Sequence, residues 1–332
     1  MRASARLTVD FVPFQAGQND AVGVRHCMSQ NPTSRTINRT PVAGVCLDID
    51  KVRFRLVCVP AAGYVFAIDS HKGDFTPVND RIEKAAIFKS LHVKGDPLVL
   101  YNVWDAGSAA VVADAGAKAI ATASWAVAAA NGFQDGEKLP LELALCNVQR
   151  IIDAVNLPVS MDLESGYGQD PSGVADTVTR AIELGAVGFN LEDQIMGANA
   201  LYDTGVQAAR IDAARGAADA LGVPAFINAR TDVFMQAGAA IEDDRRVGEV
   251  LGRAKAYQQA GADGFFVPGL VDETAIEALC NGSPLPVNIM MFPGSPSRER
   301  LAKLGVARIS HGPGAYRTAM ETIRVAARSI YS

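Results

Sequence analysis

Short β-forming runs alternate with longer amphipathic segments from about residue 97 to the end of the chain. Four amphipathic segments end in a glycine that is soon followed by an apolar run: Gly116, Gly185, Gly261 and Gly305. Glycine readily adopts the left-handed conformation that ends many helices. The pattern therefore predicts helices that end at these glycines and strands that start just after them.

Eight runs have the length and the β-branched or aromatic content of buried strands. They cover residues 98–103, 119–123, 158–163, 187–191, 225–229, 264–267, 286–290 and 307–310. The segments between them have helical period, with apolar stripes formed by Leu145, Val148, Ile151, Ile152 and Val155 and by Val247, Val250, Leu251, Ala254 and Tyr257. Strands that alternate with helices in this way predict an α/β protein, a (β/α)8 TIM-type barrel with its site at the C-terminal mouth.

The main structural alternative is a doubly wound open sheet. The first strand is not followed by a G-x-G-x-x-G turn, and the chain contains no G-x-x-x-x-G-K-[ST] loop. Nucleotide binding therefore has no support in the sequence.

Residues 1–80 form an extra N-terminal segment, and residues 81–332 form the barrel domain. The segment mixes polar stretches with Pro and Gly, and residues 44–68 are compatible with a β-hairpin. A small added β element, a loosely ordered extension and translation from an upstream start all remain open. No candidate chemistry falls here, so we expect the barrel to fold and bind its ligand without this segment.

The composition narrows the class of protein. The chain has 332 residues, 49% of them hydrophobic and 20% charged, and a net charge of −5. It can bury a large core, and an acidic chain without a Lys/Arg stripe argues against nucleic-acid binding. The longest uncharged apolar run, residues 56–68, is too short to cross a bilayer, and the N-terminus lacks the apolar core of a signal peptide. We expect a cytoplasmic protein without a membrane partner.

The five cysteines are Cys27, Cys46, Cys58, Cys146 and Cys280, and none has C-x-x-C spacing. Their odd number indicates reduced thiols, without a disulfide framework or a zinc site. Cys146 lies beside an apolar helical stripe and Cys280 precedes a turn, so both are expected to be inert core thiols.

Two of the predicted strands end abruptly in carboxylates. One leads to Asp162 and Glu164, and the other to Glu192 and Asp193. Asp162 and Glu164 are two positions apart, so both face one side of an extended strand. Carboxylates are costly to bury alone, and several at adjacent strand ends favour a hard cation such as Mg²⁺. Pairing of these acids with Arg or Lys at the rim stays open as the alternative.

Several further motifs accompany these strand ends. They are Asn102-Val-Trp-Asp105-Ala-Gly-Ser108, Ala119-Ile-Ala-Thr-Ala-Ser124, Asn131-Gly-Phe-Gln-Asp135-Gly, the D-x-E-x-G-Y-G run from Asp162 to Gly168, Asn228-Ala-Arg230-Thr-Asp232 and Ala260-Gly-Ala-Asp263-Gly. Together they resemble the isocitrate lyase/phosphoenolpyruvate mutase superfamily over about residues 81–326. The resemblance implies a (β/α)8 barrel whose last helix is exchanged between neighbours, and hence a homo-oligomer, either a dimer or a tetramer.

The resemblance also implies roles for individual residues. Asp162 would bind Mg²⁺ directly, with Mn²⁺ as a substitute, and Glu164 and Glu192 would hold the waters of the metal. Asp135 and Arg230 would be the catalytic pair. The substrate would be bound by the backbone of Thr122, Ala123 and Ser124 together with the side chains of Arg230 and Asn288. A guanidinium suits a carboxylate or a phosphonate because it offers a bidentate fork; a structural pairing of Arg230 with Glu192 or Glu164 is the alternative.

The chain departs from the lyases of this superfamily in one loop. The lyases carry a Lys-Lys/Arg-Cys-Gly-His sequence after the fourth strand, with the Cys as acid/base, whereas residues 194–203 here contain neither Cys nor His. Pro268 stands where the family often has Glu or His, and Asn199 is the nearest counterpart of the mutases' loop Asn. Cleavage of isocitrate or methylisocitrate by the usual route is therefore not expected.

Two residues near the predicted mouth have open interpretations. His311, after the eighth strand, fits either a proton donor or a ring that packs and binds the backbone. Tyr101, on the first strand, is expected to fill the barrel.

The sequence thus predicts a Mg²⁺-dependent enzyme that cleaves or forms a C–C or C–P bond next to a small anionic 2-oxo acid, through an enolate. Decarboxylation or hydrolysis fits the loop without Cys better than a retro-aldol step. A phosphonomutase-like activity, of the carboxyvinyl-carboxyphosphonate or phosphoenolpyruvate type, is one alternative. A catalytically idle, metabolite-binding barrel is the other.

Overall fold

A computed structural model describes residues 54–58, 64–68, 78–236 and 243–332 of the chain. The chain divides into two compact units, Met1–Gly73 and Asp74–Ser332. In the first unit, β1 (Phe54–Cys58) and β2 (Tyr64–Ile68) form an antiparallel hairpin. This hairpin lies in the stretch where the sequence is compatible with one; the other residues before Val78 lie outside the described ranges.

The second unit alternates strands with helices. Its strands are β3 (Leu98–Leu100), β4 (Ile120–Ala121), β5 (Val159–Asp162), β6 (Gly188–Glu192), β7 (Phe226–Arg230), β8 (Gly264–Val267), β9 (Val287–Met290) and β10 (Arg308–Ser310). Its helices are α1 (Val78–Ser90), α2 (Ala106–Asp114), α3 (Ser124–Ala130), α4 (Leu141–Ala154), α5 (Pro171–Leu184), α6 (Thr204–Ala220), α7 (Asp243–Gln259), α8 (Glu273–Gly282), α9 (Arg298–Lys303) and α10 (Gly314–Tyr331). All eight predicted strands are confirmed.

The eight strands form one parallel sheet in the order β3-β10-β9-β8-β7-β6-β5-β4. Its two edges meet just beyond the strand ends, where the Val103 amide donates to the Ala121 carbonyl at 2.9 Å and the Ala123 amide donates to the Val103 carbonyl at 3.1 Å. The sheet therefore closes into a (β/α)8 barrel. The prediction of a TIM-type barrel is confirmed, and the open-sheet alternative is wrong.

The helix ends follow the predicted glycine pattern. Gly116, Gly185, Gly261 and Gly305 all have a positive φ, between 91° and 110°, a conformation that an L side chain would strain. The apolar stripes of α4 and α7 face the sheet, and Val148, Ile151 and Val250 are fully buried there. Helix termination and burial at these elements are thus set by local sequence.

Helix α1 closes the N-terminal end of the barrel, which the sequence analysis did not foresee. Phe88 inserts over Gly188, where an added Cβ would lie 2.5 Å from the Phe88 ring. His92 stacks on Phe226 at a centroid distance of 3.9 Å. Burial, and then the nearby Arg308 charge, lower the pKa of His92 to about 3. The barrel therefore opens toward its C-terminal mouth.

Two residue placements differ from the sequence predictions. Tyr101 is 42% exposed and does not fill the barrel, because its neighbours Leu100 and Asn102 take the buried positions of an alternating strand. Cys146 is exposed, whereas Cys280 is buried as expected. Cys146 follows the buried Leu145 by one residue and so points away from the stripe. Cys27, Cys46 and the side chain of Cys58 lie outside the described residues.

Candidate active site

The carboxyl ends of β5, β6 and β7 bring the predicted site residues to one mouth of the barrel. A cavity of about 280 Å³ opens there, lined by Ser124, Asp135, Gly136, Lys138, Glu164, Glu192, Gln194, Met196, Gly197, Ala198 and Arg230. A much smaller pocket adjoins it and shares Ser124; Thr122, Asp162 and Tyr167 also line this pocket. The predicted acids and Arg230 therefore converge.

Asp162 is held by the β4 end of the barrel. Its Oδ2 accepts hydrogen bonds from the Ser124 amide at 3.1 Å and the Ser124 hydroxyl at 2.8 Å. Its Oδ1 accepts a longer bond, 3.4 Å, from Asn190 Nδ2. The Asp162 amide donates to Thr122 Oγ1 at 2.9 Å. The carboxylate is thus aimed by neutral donors and has no cationic partner among the described side chains.

The three backbone amides that were predicted to bind the substrate already donate hydrogen bonds within the protein. The Thr122 amide donates to the Ser160 carbonyl at 3.0 Å, the Ala123 amide helps close the barrel, and the Ser124 amide donates to Asp162. Only the Ser124 amide and hydroxyl can be released without breaking the sheet. Any carboxylate bound here would have to replace Asp162 on Ser124.

Glu164 clamps the loop that carries Asp135. Its Oε2 accepts from the amides of Gly136 at 2.8 Å and Glu137 at 2.7 Å, and Tyr167 donates its hydroxyl to Oε1 at 3.3 Å. In return, Glu137 Oε1 accepts from the Tyr167 amide at 2.8 Å. Glu137, Glu164 and Tyr167 have φ of 58°, 51° and 55°, a left-handed conformation that is costly for residues with a Cβ and is typical of functional sites.

Burial and like charge perturb the acids of this mouth. Desolvation, followed by repulsion from Asp135, raises the pKa of Glu164 to about 7. Desolvation also raises the pKa of Glu192, although the neighbouring Arg230 opposes the shift. Asp135 keeps contact with solvent, yet partial desolvation and then the Asp162 charge raise its pKa. The cluster thus holds more negative charge than its surroundings stabilise.

Arg230 is shared between two carboxylates. Its Nε and Nη2 donate to the two oxygens of Asp232 at 2.6 and 2.8 Å, and its Nη1 lies 2.6 Å from Glu192 Oε2. The predicted alternative, a structural pairing of Arg230 with Glu192, therefore occurs. A guanidinium has five N–H groups, so one on each terminal nitrogen remains for an anion. Asp232 ends the Asn228–Asp232 motif, but no role in binding Arg230 was predicted for it from the sequence.

Asp193, the second acid at the end of β6, is structural. It is fully buried; its Oδ2 accepts from Arg253 at 3.0 Å and Tyr257 at 2.9 Å, and its Oδ1 accepts from the Asp232 amide at 3.0 Å. These bonds join β6, the end of β7 and α7. Asp193 therefore fixes the strand ends and leaves the cavity to Glu192.

The loop without Cys forms the far wall of the cavity. Gln194 and Leu201 pair in a short antiparallel bridge, and the Ile195 amide donates to the Ala200 carbonyl at 2.9 Å. Met196, Gly197 and Ala198 line the cavity, whereas Asn199 is exposed and does not. The nearest counterpart of the mutases' loop Asn is thus not among the residues that line the cavity.

Two other candidates lie outside the cavity lining. Asn288 is buried inside the barrel, where its Oδ1 accepts from the Ser310 hydroxyl at 3.2 Å. His311 packs edge to face on Tyr101 at 5.3 Å, and its amide donates to Asn102 Oδ1 at 3.0 Å. The packing interpretation of His311 agrees with this placement.

The donor set fits a divalent cation that keeps most of its waters. Asp135, Asp162, Glu164, Glu192 and Asp232 converge around one arginine. A cation would relieve the repulsion that, after desolvation, raises the pKa values of Asp135, Glu164 and Glu192. In the part of the chain that the structure describes, no group of three or more Asp, Glu, His or Cys side chains is arranged to hold an ion directly. A single direct carboxylate with water-mediated neighbours agrees with the coordination habit of Mg²⁺.

Comparisons with known proteins agree with the barrel fold. The family model described as phosphoenolpyruvate phosphomutase matches residues 88–331. The crystal structure of a proposed phosphonomutase from Burkholderia cenocepacia J2315 is 54% identical, with a TM-score of 0.73, over 75% of this chain and 99% of that chain. The 2-methylisocitrate lyase of Escherichia coli (strain K12) is 30% identical over 69% of this chain and 78% of its own.

Oxaloacetate decarboxylase 1 of Pseudomonas fluorescens (strain Pf0-1) is 28% identical over 66% of this chain and 75% of its own. The relatives therefore include a lyase and a decarboxylase as well as the proposed phosphonomutase. The chain belongs to the phosphoenolpyruvate phosphomutase family, within the isocitrate lyase/phosphoenolpyruvate mutase superfamily of enzymes.

Proposed function

We propose that this chain is a Mg²⁺-dependent enzyme that cleaves or forms a bond next to a small anionic 2-oxo acid, through an enolate. The observation that carries the proposal is the convergence of five carboxylates and Arg230 on one mouth, with raised pKa values for Asp135, Glu164 and Glu192. Such a cluster gains from a bound cation. A divalent cation there would act as a Lewis acid for negative charge that develops on the 2-oxo oxygen.

The residue roles follow from the contacts. Asp162 would bind the cation directly, with Glu164 and Glu192 holding its waters, and Mn²⁺ would substitute for Mg²⁺. When Asp162 turns to a cation, the amide and hydroxyl of Ser124 lose their acceptor. These two donors would then bind the carboxylate of the substrate. Arg230 would add its two remaining N–H groups.

Asp135 is the group best placed to move a proton or to orient water. It lies at the solvent side of the cavity, and its raised pKa brings it closer to the range where a carboxyl both takes up and releases a proton near neutral pH. The cavity lining includes no cysteine, and the described Cys280 is buried with a pKa raised to about 12 by desolvation. Decarboxylation or hydrolysis is therefore favoured over a thiol-assisted retro-aldol step.

A phosphonomutase-like reaction at a C–P bond is the second candidate. The identity of 54% to a proposed phosphonomutase supports it, and the two free N–H groups of Arg230 suit a phosphonate as well as a carboxylate. The exposed position of Asn199 does not favour it. A catalytically idle barrel is less compatible with the site, because it would not need three strained residues around Glu164.

The test begins with binding. Isothermal titration calorimetry should show that oxalate, an enolate analogue, binds tightly with Mg²⁺ and weakly in EDTA. Oxaloacetate, phosphonopyruvate, malate derivatives and methylisocitrate should then be screened for Mg²⁺-dependent release of pyruvate. We expect Asp162→Ala and Arg230→Ala to lower turnover by at least about 100-fold, an order of magnitude typical of lost electrostatic stabilisation.

Control variants separate this site from general damage. Asp114→Ala and Arg300→Ala remove the same charges from exposed positions of α2 and α9 and should leave turnover unchanged. Replacement of all five cysteines by serine should also preserve it. Turnover that is equal in Mg²⁺ and in EDTA would contradict the proposal, and loss of activity in one folded cysteine variant would restore a thiol mechanism.

A further inference from the structure

Lys138 is a cation of the cavity to which the proposed reaction assigns no task. It lines the larger cavity together with Asp135, Glu164 and Arg230. It does not line the small adjoining pocket formed in part by Thr122 and Asp162. Lys138 is exposed and lines only the larger cavity, whereas Ser124 lines both the cavity and the small pocket that contains Asp162.

The backbone of Lys138 is fixed on both sides. Glu137 is tied to Glu164 through its amide and to Tyr167 through its side chain, at 2.7 and 2.8 Å. Leu139 is 2% exposed and belongs to the core. The anchored backbone fixes where the flexible Lys138 side chain starts, so no loop has to be ordered when the ammonium binds an anion.

The ammonium of Lys138 has no carboxylate partner among the described side chains of the cavity. Within the described ranges, no ion pair is recorded for Lys138, whereas Arg230 is bound to Asp232 and Glu192. The mouth brings five carboxyl groups, those of Asp135, Asp162, Glu164, Glu192 and Asp232, together with one arginine, Arg230. A substrate with two negative groups would therefore meet net repulsion unless another cation faced its second group.

We infer that Lys138 binds the anionic group of the substrate that lies farthest from its 2-oxo acid end. The inference rests on the proposed function and deepens it. Lys138 makes the cavity select 2-oxo acids that carry a second carboxylate or a phosphonate over those that end in a neutral group. Lys138 is then a specificity residue, distinct from the groups that act on the reacting bond.

A different role for Lys138 makes a different prediction. If the ammonium only offsets the negative charge of the cavity, its removal should lower the affinity for every anion to a similar degree. If it contacts the anionic group farthest from the 2-oxo acid end, its removal should lower the affinity only for ligands that have such a group. Two unreactive probes separate these cases: oxalate, which has no distal group, and 3,3-difluorooxaloacetate, which has a distal carboxylate.

The experiment is calorimetric titration of the full-length protein in Mg²⁺ with both probes. We expect Lys138→Met to lower the affinity for 3,3-difluorooxaloacetate by about 10-fold or more, as for loss of a charged contact. The affinity for oxalate should fall by less than 2-fold. Lys138→Arg should retain most of the affinity. The matched control is Lys118→Met, which removes an exposed charge just before β4, at the opposite end of the barrel.

The outcomes are distinct. Equal weakening of both probes, or no weakening of either, would overturn the role of Lys138 while leaving the proposed function intact. Failure of the unaltered protein to bind oxalate in Mg²⁺ would instead overturn the proposed function, and the inference with it. Thermal unfolding of each variant shows that the comparison is made between folded proteins.

Discussion

Glu164 connects three parts of the site through one side chain. Its carboxylate holds the loop with Asp135 and Glu137, binds the Tyr167 hydroxyl and borders the cavity beside Glu192. Three neighbouring residues accept a left-handed backbone to make this arrangement. The loop that presents Asp135 is therefore positioned by an acid of the neighbouring strand end.

The raised pKa of Glu164 predicts a pH dependence of stability. Its folded-state value of about 7 exceeds the ordinary value of 4.5, so the folded protein binds the extra proton between these two pH values. Without metal, this group should lower the free energy of unfolding by roughly 1 kcal/mol per unit as the pH rises from 5 to 7. Glu164→Gln keeps the shape and should remove that slope.

Urea unfolding in EDTA at several pH values between 5 and 8 measures this effect. His92, with its lowered pKa, contributes a slope of opposite sign below about pH 6.5 in both proteins, so the difference between them isolates Glu164. Parallel curves for the two proteins would contradict the prediction.

Gly188 gives a second prediction about a single residue. Gly188→Ala would place a Cβ 2.5 Å from the Phe88 ring and 3.2 Å from Ser160 Oγ. We expect a loss of about 1–3 kcal/mol in the free energy of unfolding, as for other overpacked cores. Gly216→Ala is the control, because an added Cβ in the middle of α6 meets nothing within 4 Å and should stabilise by about 0.5–1 kcal/mol. Chemical unfolding of both variants measures the contrast, and equal effects would contradict it.

The acids that end the strands were predictable, whereas their partners were not. Asp162, Glu164, Glu192 and Arg230 interrupt apolar runs, which marks them in the sequence. The roles of Glu137 and Tyr167 depend on backbone amides that two separate loops bring together, and no local pattern encodes that approach. The hydrogen bond from the Ser124 amide to Asp162 could not be predicted for the same reason.

At the scale of elements, Asp193 joins β6, β7 and α7. Arg253→Met should cost about 3–5 kcal/mol in the free energy of unfolding, because it leaves a fully buried carboxylate without its cation. Tyr257→Phe removes one hydrogen bond from a neutral donor to the same carboxylate and should cost less, about 1.5–3 kcal/mol. Urea unfolding of the two variants tests the order, and a reversed order would show that the charge of Asp193 is stabilised by other groups.

The hydrophobic period of the sequence predicted the number and type of barrel elements. It did not predict at every position whether a side chain faces the core or the solvent. The eight strands and the glycine-ended helices follow directly from it. Tyr101 and Cys146 each lie one residue from a buried position. A one-residue error reverses the face of a strand side chain such as Tyr101, and it turns a helical side chain such as Cys146 by about 100°. The insertion of α1 into the barrel could not be predicted, since its docking partners Gly188 and Phe226 lie far along the chain.

At the scale of the whole molecule, α10 has an apolar face without a partner among the described residues. Only Ala315 of α10 is buried, while Ile323, Ile330 and Tyr331 on this face are 58–89% exposed. The proposed homo-oligomer, a dimer or a tetramer, would cover this face. Among the described helices, none is long and apolar enough to cross a membrane. We propose a second copy of the chain as the occupant of this face, as the resemblance to the superfamily implies.

A substitution on α10 tests that assembly. Ile323→Asp should shift the mass measured by light scattering after gel filtration toward the monomer, because a charge would be buried without a partner. Val111→Asp changes an equally exposed apolar residue on α2, 69% exposed, and should leave the mass unchanged. A monomeric unaltered protein would contradict the proposal.

The closure of the barrel by α1 has a consequence during synthesis of the chain. Arg81 of α1 donates to the Ile182 carbonyl, 101 residues later, and Phe88 and His92 pack against Phe226. At about 5–20 residues per second, the ribosome needs roughly 5 to 20 s to make even the first of these docking sites. Helix α1 must therefore wait on the nascent chain with its aromatic face undocked, and it cannot settle before β7 has been made.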